Sequence, residues 1–423
     1  MPPRGRKRAS DVDPGPQPES PSPSSLADRE PPPPFFNTTF STHRASPLYV
    51  GANALTFPRL QTLSQRLRDT LVGDVVRGVQ VGLEGSDSSL GRAGPLERVG
   101  IRWVGLGALL GGALDADADL SQDLGGEVAD SNMDLMRRGL VFEIKYENAL
   151  CTAVLLPALS DKTKDTRQDG LAANKLEIPG FLGNDSSDED NRFLNLPLLL
   201  LRMPGPLKSL IVDFLSSTFD CRISSMRLGT KSLTSAWERW IQDAGLPSQG
   251  PLAKDMVLTL GFYVPPPDTS EGNEDQQLEG LGIKSIDVII PAEELRRFVK
   301  EGQGVANPAE TTKRKPGSQG YEGDQRKRKR LAGGKADEGW GWIEEGNGKE
   351  PEPFLRALGA YLDKHLALNL FHPGVRVTKI ACGGFVLSEG RVKVFPPPGN
   401  DDEDQVYKPI KSLVGDLIDS AVS

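Results

Sequence analysis

Four apolar runs of strand length follow one another without an intervening helix, and this arrangement most constrains the fold. They are residues 75–84, 98–106, 139–147 and 149–159. Polar or glycine-rich segments separate these runs. Parallel neighbours in a sheet need a long crossover connection, usually a helix, whereas antiparallel neighbours do not. The arrangement therefore predicts an antiparallel meander.

Amphipathic helices are expected beside this meander. Leu60, Leu63, Leu67 and Leu71 form one stripe after Pro58, a residue that suits the first turn of a helix. Further helices are expected within residues 207–217, 231–245, 291–302, 352–371 and 412–422, and further strands within 48–50, 193–203, 255–264, 283–291 and 375–395. The predicted class is α+β, with mostly antiparallel sheet flanked by amphipathic helices and with long disordered insertions.

The chain divides by composition into four regions. Pro and Gly together number 80, and they gather in segments with little to bury. The expected regions are a disordered basic and Pro-rich tail at 1–40, an α+β region at 41–300 with disordered insertions at about 160–192 and 265–281, a disordered basic loop at 301–350, and a C-terminal helix–hairpin–helix region at 351–423 that binds a partner.

Charge and cysteine content narrow the class of protein. The net charge of −8 argues against a polyanion-binding surface over the whole chain. Cys151, Cys221 and Cys382 are odd in number and far apart, which favours a reducing compartment over a disulfide framework. No apolar run reaches the ~18–20 residues that cross a bilayer. We therefore expect a soluble intracellular protein without membrane contact.

Two segments invite a cofactor or metal interpretation that their spacing does not support. Gly105, Gly107 and Gly111 follow a predicted strand, but a dinucleotide loop should then open a helix and lead to a second strand with an acid. The acidic run from Asp115 lacks the glycine and the glutamate that a calcium loop places at its sixth and twelfth positions. We expect no cofactor and no metal.

Catalytic residues are equally hard to find. None of the three histidines sits in a recognisable acid–base frame, and cysteines at metal-binding spacing are absent. Asp220 should raise the pKa of Cys221, which disfavours a thiolate nucleophile. The sequence predicts a non-enzymatic protein, and an uncharacterised enzyme is the weakest alternative.

Residues 207–228 form the best-defined local pattern, a helix that breaks at Thr218–Cys221 and continues as a strand. We predict a structural hinge here. Phe219 should be buried, Asp220 should accept backbone amide hydrogen bonds at the turn, and Cys221 should be half-buried at the corner.

Two clusters of basic residues predict import into the nucleus. The residues that resemble a two-part nuclear import signal are Lys313, Arg314, Arg326, Lys327, Arg328, Lys329 and Arg330, with Arg4–Arg8 as a second candidate. The same cations could contact DNA phosphates, so a free-standing nuclear DNA-binding module is the first alternative function.

Serines in the segments expected to be disordered are candidate phosphorylation sites. Ser10 follows a basic run, and Ser186 and Ser187 precede an acidic run. Each phosphate would add about −1.5 to −2 charges.

The C-terminal hairpin is the predicted partner interface. We interpret residues 375–395 as two strands joined at Ser388–Gly390, with Val392 and Val394 on one face and Arg391, Lys393 and Phe395 on the other. If no later strand pairs with residues 391–395, they form a sheet edge that can recruit a strand from another chain.

Several segments resemble the centromere protein L family of inner-kinetochore subunits, in the family's order. They are residues 46–50, 196–228, 286–299, 354–371 and 375–395, and the terminal helix. The resemblance runs from about residue 41 to the end, outside the three long insertions. Proline richness and these insertions indicate a filamentous-fungal member.

The resemblance implies a non-enzymatic structural subunit of the constitutive centromere-associated network, located in the nucleus at the centromere and kinetochore. It implies a heterodimer with a centromere protein N homologue, joined through C-terminal sheet elements. Other inner-kinetochore subunits, and the centromeric nucleosome or adjacent DNA, are the remaining implied partners. Such a complex would link centromeric chromatin to the kinetochore for chromosome segregation.

Changing Arg326–Arg330 to alanine should reduce nuclear accumulation of a fluorescently tagged chain, because the import carrier reads clustered cations. The free energy of unfolding should change by no more than about 0.5 kcal/mol, as is usual for exposed sites. If nuclear import is not reduced, Arg4–Arg8 becomes the predicted import signal.

Overall fold

An antiparallel sheet of eleven strands organises the computed structural model. The structure describes residues 31–51, 54–76, 93–111, 138–158, 192–246, 250, 252–263, 283–304, 339–340, 352–397 and 403–422. The fold considered below belongs to residues 33–423, which form one compact unit.

Thirteen strands lie within the described residues, eleven in the main sheet and two in a small separate one. Their bounds are β1 Thr39–Ala45, β2 Leu48–Tyr49, β3 Leu96–Gly105, β4 Arg138–Tyr146, β5 Ala149–Leu156, β6 Phe193–Leu194, β7 Leu198–Arg202, β8 Ile223–Ser225, β9 Met256–Phe262, β10 Ser285–Ile290, β11 Val375–Ala381, β12 Phe385–Ser388 and β13 Arg391–Val394.

Seven helices accompany the strands in the described part of the chain. They are α1 Phe57–Val76, α2 Leu106–Leu110, α3 Gly205–Phe219, α4 Thr230–Ala244, α5 Ala292–Gly304, α6 Pro353–Leu366 and α7 Glu403–Val422. Together with the antiparallel sheet they confirm the predicted α+β class.

The strand order places the first strand in the middle of the sheet. The order is β10-β9-β11-β12-β13-β1-β7-β5-β4-β3, and β8 pairs with β1 beside this path. Strands β3, β4 and β5 form an antiparallel meander from three of the four runs predicted to do so. β1 joins this N-terminal half to the C-terminal half, because it pairs with β7 on one side and with β13 on the other.

Helices cover one face of the sheet along its whole width. On this first face Phe40, Val141, Leu200, Leu258 and Val394 belong to one buried core, to which α2, α4, α5, α6 and α7 contribute. On the second face α1 and α3 bury residues such as Leu140 and Leu199 in a separate core under the N-terminal half. Period-two alternation along the strands sends neighbouring residues to opposite cores.

Several predicted elements differ from the structure, and the strand predicted at 193–203 is two strands, β6 and β7. Val75 and Val76 end α1, so residues 75–76 are helical, and the rest of the predicted strand at 75–84 lies outside the described residues. Residues 375–395 form three strands rather than two, because the chain turns at Gly383–Gly384. A side chain at Gly384 would collide with the Trp240 ring, so the close packing at this turn requires glycine.

The predicted helix at 352–371 ends early. α6 stops at Leu366 because Ala367 takes a left-handed conformation with φ 50°, and its N–H donates to the Asp363 carbonyl. Such a backbone turn satisfies carbonyls that the helix leaves open at its C-terminus.

The hinge after α3 has the predicted order of helix, corner and strand. Phe219 is fully buried, and Cys221 is buried rather than half-buried. Asp220 contributes through its backbone, with a left-handed φ of 45°, and its side chain is exposed. Within the described residues no backbone amide donates to its carboxylate, contrary to our expectation. Burial, followed by the charge of Asp220, raises the pKa of Cys221.

A buried carboxylate links α4 to α6. Glu238 lies on α4, and its Oε1 accepts a hydrogen bond of 3.3 Å from the Leu355 N–H in the first turn of α6. The first N–H groups of a helix have no acceptor within the helix. The side chain of the N-cap residue Glu352 makes no capping hydrogen bond, so Glu238 supplies an acceptor instead. Burial raises the pKa of Glu238 to about 7, although the backbone hydrogen bonds to Leu355 and Phe354 oppose the shift.

Replacing Phe219 with alanine should lower the free energy of unfolding by about 3–5 kcal/mol, because the ring is fully buried in a packed core. Urea denaturation of the full chain measures this. Cys221→Ser is the matched neighbour and should destabilise less. If Phe219→Ala lowered the free energy of unfolding by less than about 1 kcal/mol, the surrounding side chains would have to fill the cavity that the ring leaves.

Glu238→Gln should remove a pH dependence of stability. The folded-state pKa of Glu238 is raised above the ordinary value of 4.5, so the folded protein holds this proton more tightly than the unfolded chain does. The stability that the folded protein gains by holding this proton is fully present below about pH 4.5, and it is lost as pH rises through about 7. Urea denaturation at several pH values should show this fall in the wild type, and Glu238→Gln should flatten it.

The control for this measurement is Glu294→Gln, in the first turn of α5. That variant should keep the wild-type dependence. A wild-type stability that is constant between pH 4.5 and 8 would contradict the assignment.

Candidate interaction surfaces

Several predicted site residues lie outside the part of the chain that the structure describes. The import cluster, from Lys313 to Arg330, falls there, as do Ser10, Ser186 and Ser187. Their roles stay predictions from the sequence.

The strand predicted to be a sheet edge is an interior strand. β13 pairs with β12 through Ser388↔Arg391 and Phe385↔Val394, and with β1 through Ser41↔Arg391 and Thr39↔Lys393. The edge prediction for Arg391, Val392, Lys393, Val394 and Phe395 is therefore wrong. The strand that pairs with β13 is β1, which comes near the start of the chain rather than after β13.

The alternation predicted for this strand is confirmed. Val392 and Val394 are buried on the first face, while Arg391 is exposed and Lys393 and Phe395 are half-buried on the second. The hairpin thus contributes side chains, rather than a free backbone, to any contact on the second face.

The second face of the C-terminal half carries exposed and half-buried side chains. Cross-strand pairing sets them in two rows. One row contains Arg391, Ser388, Lys379, Thr259 and Asp287, and the other contains Lys393, Val386, Ala381, Val257 and Ile289. We call these two rows the open face, together with the adjacent residues Lys254, Tyr263, Arg376 and Phe395.

The open face is predominantly basic. Its cations are Lys254, Arg376, Lys379, Arg391 and Lys393. Lys254 and Lys393 both lie over the Phe395 ring, and Arg376 lies 4.0 Å from the centre of the Tyr263 ring. Asp287 offsets part of this charge and accepts a hydrogen bond of 2.6 Å from Thr259. Such a face favours acidic partners.

β10 is the least protected edge of the sheet. Within the described residues it pairs only with β9, and Ile289 and nearby Ile283 are 63% and 62% exposed. The opposite edge, β3, carries Glu97, Arg98 and Arg102, and Arg102 pairs with Glu143 at 3.0 Å. Charges guard an edge against pairing, while an apolar edge invites it. The sequence already contained this signal, in the run Ser285–Ile290 with only one charged residue.

The glycine-rich segment after β3 packs against another helix. It leads into α2, which has only five residues, and a side chain at Gly111 would collide with Tyr407 of α7. Gly111 also has a φ of 77°. Glycine at this position lets α2 and α7 approach closely. A side chain would not fit there, and the backbone angle is one that other residues rarely adopt.

His365, His372 and the three cysteines serve packing and turns. The His372 Nδ1 accepts a hydrogen bond from the Gly374 N–H, and the His365 ring packs on Tyr361. All three cysteines are buried as free thiols, and burial raises the pKa of Cys382 to about 11. Within the described ranges no group of His, Cys, Asp or Glu could hold a metal ion. In the same ranges no helix is long and apolar enough to span a membrane.

Comparison with models of protein families identifies a match over nearly the whole chain. Residues 34–422 match the family model described as Centromere protein L. No curated protein matches the chain.

Proposed function

Because the chain belongs to the centromere protein L family, we propose that it is a non-enzymatic structural subunit of the inner kinetochore. Membership gives it a kinetochore-associated role in chromosome segregation, and the match from residue 34 to 422 carries this conclusion. The finer proposal is that it pairs with a centromere protein N homologue and links centromeric chromatin to the kinetochore.

The β10 edge is our proposed surface for that pairing. An edge strand presents unpaired backbone N–H and C=O groups, and an added strand satisfies them while burying exposed apolar side chains. Ile283 and Ile289 would lose much of their exposure in such a contact. This edge replaces Arg391–Phe395 as the site of strand addition, because β13 has no free side.

The open face is our proposed surface for centromeric DNA or the nucleosome within the assembly. Lys379 lies on β11, while Arg391 and Lys393 lie on β13 beyond β12, so these cations span three adjacent strands and can meet different phosphates. Contacts of this kind weaken as salt rises. The same face keeps the alternative of a free-standing DNA-binding module open. Strong binding of duplex DNA by the isolated chain at physiological salt would favour that alternative.

The centromeric role is tested by following a tagged copy in dividing cells. We expect foci that persist at centromeres through the cell cycle. A diffuse nuclear signal would contradict the kinetochore proposal.

Replacing Ile289 with lysine should weaken co-purification of the centromere protein N homologue by tenfold or more. A buried unpaired charge would destabilise the new strand pair, by well over the 1.4 kcal/mol that a tenfold loss represents. The melting temperature should be unchanged, because the Ile289 side chain is 63% exposed in the isolated chain.

Leu366→Lys is the matched control, since Leu366 is 60% exposed but lies at the end of α6. It should leave the yield of the partner unchanged. Equal yields for both variants would remove the β10 edge from the proposal and leave the family assignment intact.

A further inference from the structure

A polar groove lies where α3 meets the second face of the sheet. Its floor is His43 on β1 with Ile223 and Ser225 on β8, and its wall is formed by Lys208, Ser209, Val212 and Asp213 of α3. Its volume of about 260 Å³ has room for several waters at about 30 Å³ each. Neither the pairing edge nor the two rows of the open face include these residues.

His43 gives the groove a buried imidazole whose Nδ1 has no hydrogen-bond partner, although the ring also makes a backbone hydrogen bond at Ser41. The side chain is only 8% exposed, and its Nδ1 makes no hydrogen bond. Buried polar atoms are normally paired, so an unpaired one calls for water or a ligand. Burial, and then the charge of Lys208, lowers the pKa of His43, and the backbone hydrogen bond at Ser41 opposes this shift.

Lys208 stands beside this histidine, and Arg391 lies close enough to Lys208 for their charges to interact. Burial, and then the charge of Arg391, lowers the pKa of Lys208. Lys208 also lies near the start of α3, where the positive end of the helix dipole disfavours a cation. In the described part of the chain neither Lys208 nor Arg391 forms an ion pair. Asp213, one turn further along α3, is the acid that lines the groove.

We propose that this groove binds an oxyanion carried by a partner polypeptide, such as the phosphate of a phosphorylated serine or threonine. Lys208 and Arg391 supply the charge, the hydroxyls of Ser209 and Ser225 can donate hydrogen bonds, and His43 supplies a buried donor once the anion raises its pKa. Charge-assisted hydrogen bonds of this kind are about twice as strong as neutral ones.

The groove suits a polypeptide better than nucleic acid for two reasons. Asp213 would repel the neighbouring phosphates of a DNA backbone but can be avoided by a single anionic side chain. β8 pairs only with β1 among the described strands, so its outer side offers backbone groups to an extended peptide beside the groove. A peptide can use both the anion site and this edge.

Histidine NMR of the full chain provides a direct test, because the sequence has only three histidines. Titration with inorganic phosphate should move the His43 resonances and raise the pKa of His43 by about one, a tenfold coupling between proton and anion. His365 and His372 lie elsewhere and should not respond, so they report that the fold is intact. His43→Gln assigns the signal.

Variants separate the two cations assigned to the groove from the other cations of the open face. Lys208→Gln and Arg391→Gln should each weaken phosphate binding about tenfold, whereas Lys379→Gln, on the open face, should leave it unchanged. A peptide with one phosphoserine should bind more tightly than inorganic phosphate and compete with it. The same peptide with unmodified serine should not compete.

Three results would overturn the proposal. The first is a His43 signal that does not respond to millimolar phosphate. The second is an equal loss of phosphate binding in Lys379→Gln. The third is duplex DNA that displaces phosphate from the groove more effectively than the phosphopeptide, which would extend the proposed DNA surface from Arg391 to Lys208. Each outcome leaves the β10 pairing experiment unaffected.

Discussion

The backbone pairing of β1 holds the two halves of this protein together. Residues 39–41 bond to β13, residues 41–44 bond to β7, and residues 43–45 bond to β8, so seven residues serve three neighbours. Without β1 the N-terminal meander and the C-terminal strands would be two sheets with exposed edges. Hydrogen bonds between strands are individually modest in net free energy, but an unpaired buried backbone group is costly. The continuity of the sheet therefore depends on this short strand.

Helices pack on both faces of the N-terminal half of the sheet but on only one face of the C-terminal half among the described residues, so the two halves differ in the surface they expose. The N-terminal half is buried on both faces, which explains the nearly continuous apolar runs of β5 and β7. The C-terminal half is covered on the first face, and its second face alternates between basic and small side chains. All the surfaces we assign to partners lie in or next to that half. A subunit whose role is to join other molecules needs such a face more than it needs a cavity.

Much of the fold follows from the sequence, and the missed parts have identifiable physical causes. Periodicity identified α1, α3 and α4, the meander and the β9–β10 pair, because each is defined by local spacing. β1 was missed as a strand because Thr39–Ala45 is largely polar, and its place in the sheet is set by tertiary pairing rather than by composition. Missing β1 also led to the wrong edge, because the neighbour of β13 was not recognised. The groove at His43 could not be predicted, since α3, β1 and β8 meet there only after folding.

The central position of β1 also governs how the chain can fold as it is synthesised. β7 and β8 emerge from the ribosome well before β13, which lies near the C-terminus. At a synthesis rate of about 5–20 residues per second, the side of β1 that receives β13 stays open for on the order of ten seconds. During that interval the nascent chain presents an unsatisfied strand next to an unfinished core. Long-range pairing of this kind also slows folding in general. The strand that unifies the finished sheet is thus also the one whose pairing is completed last during synthesis.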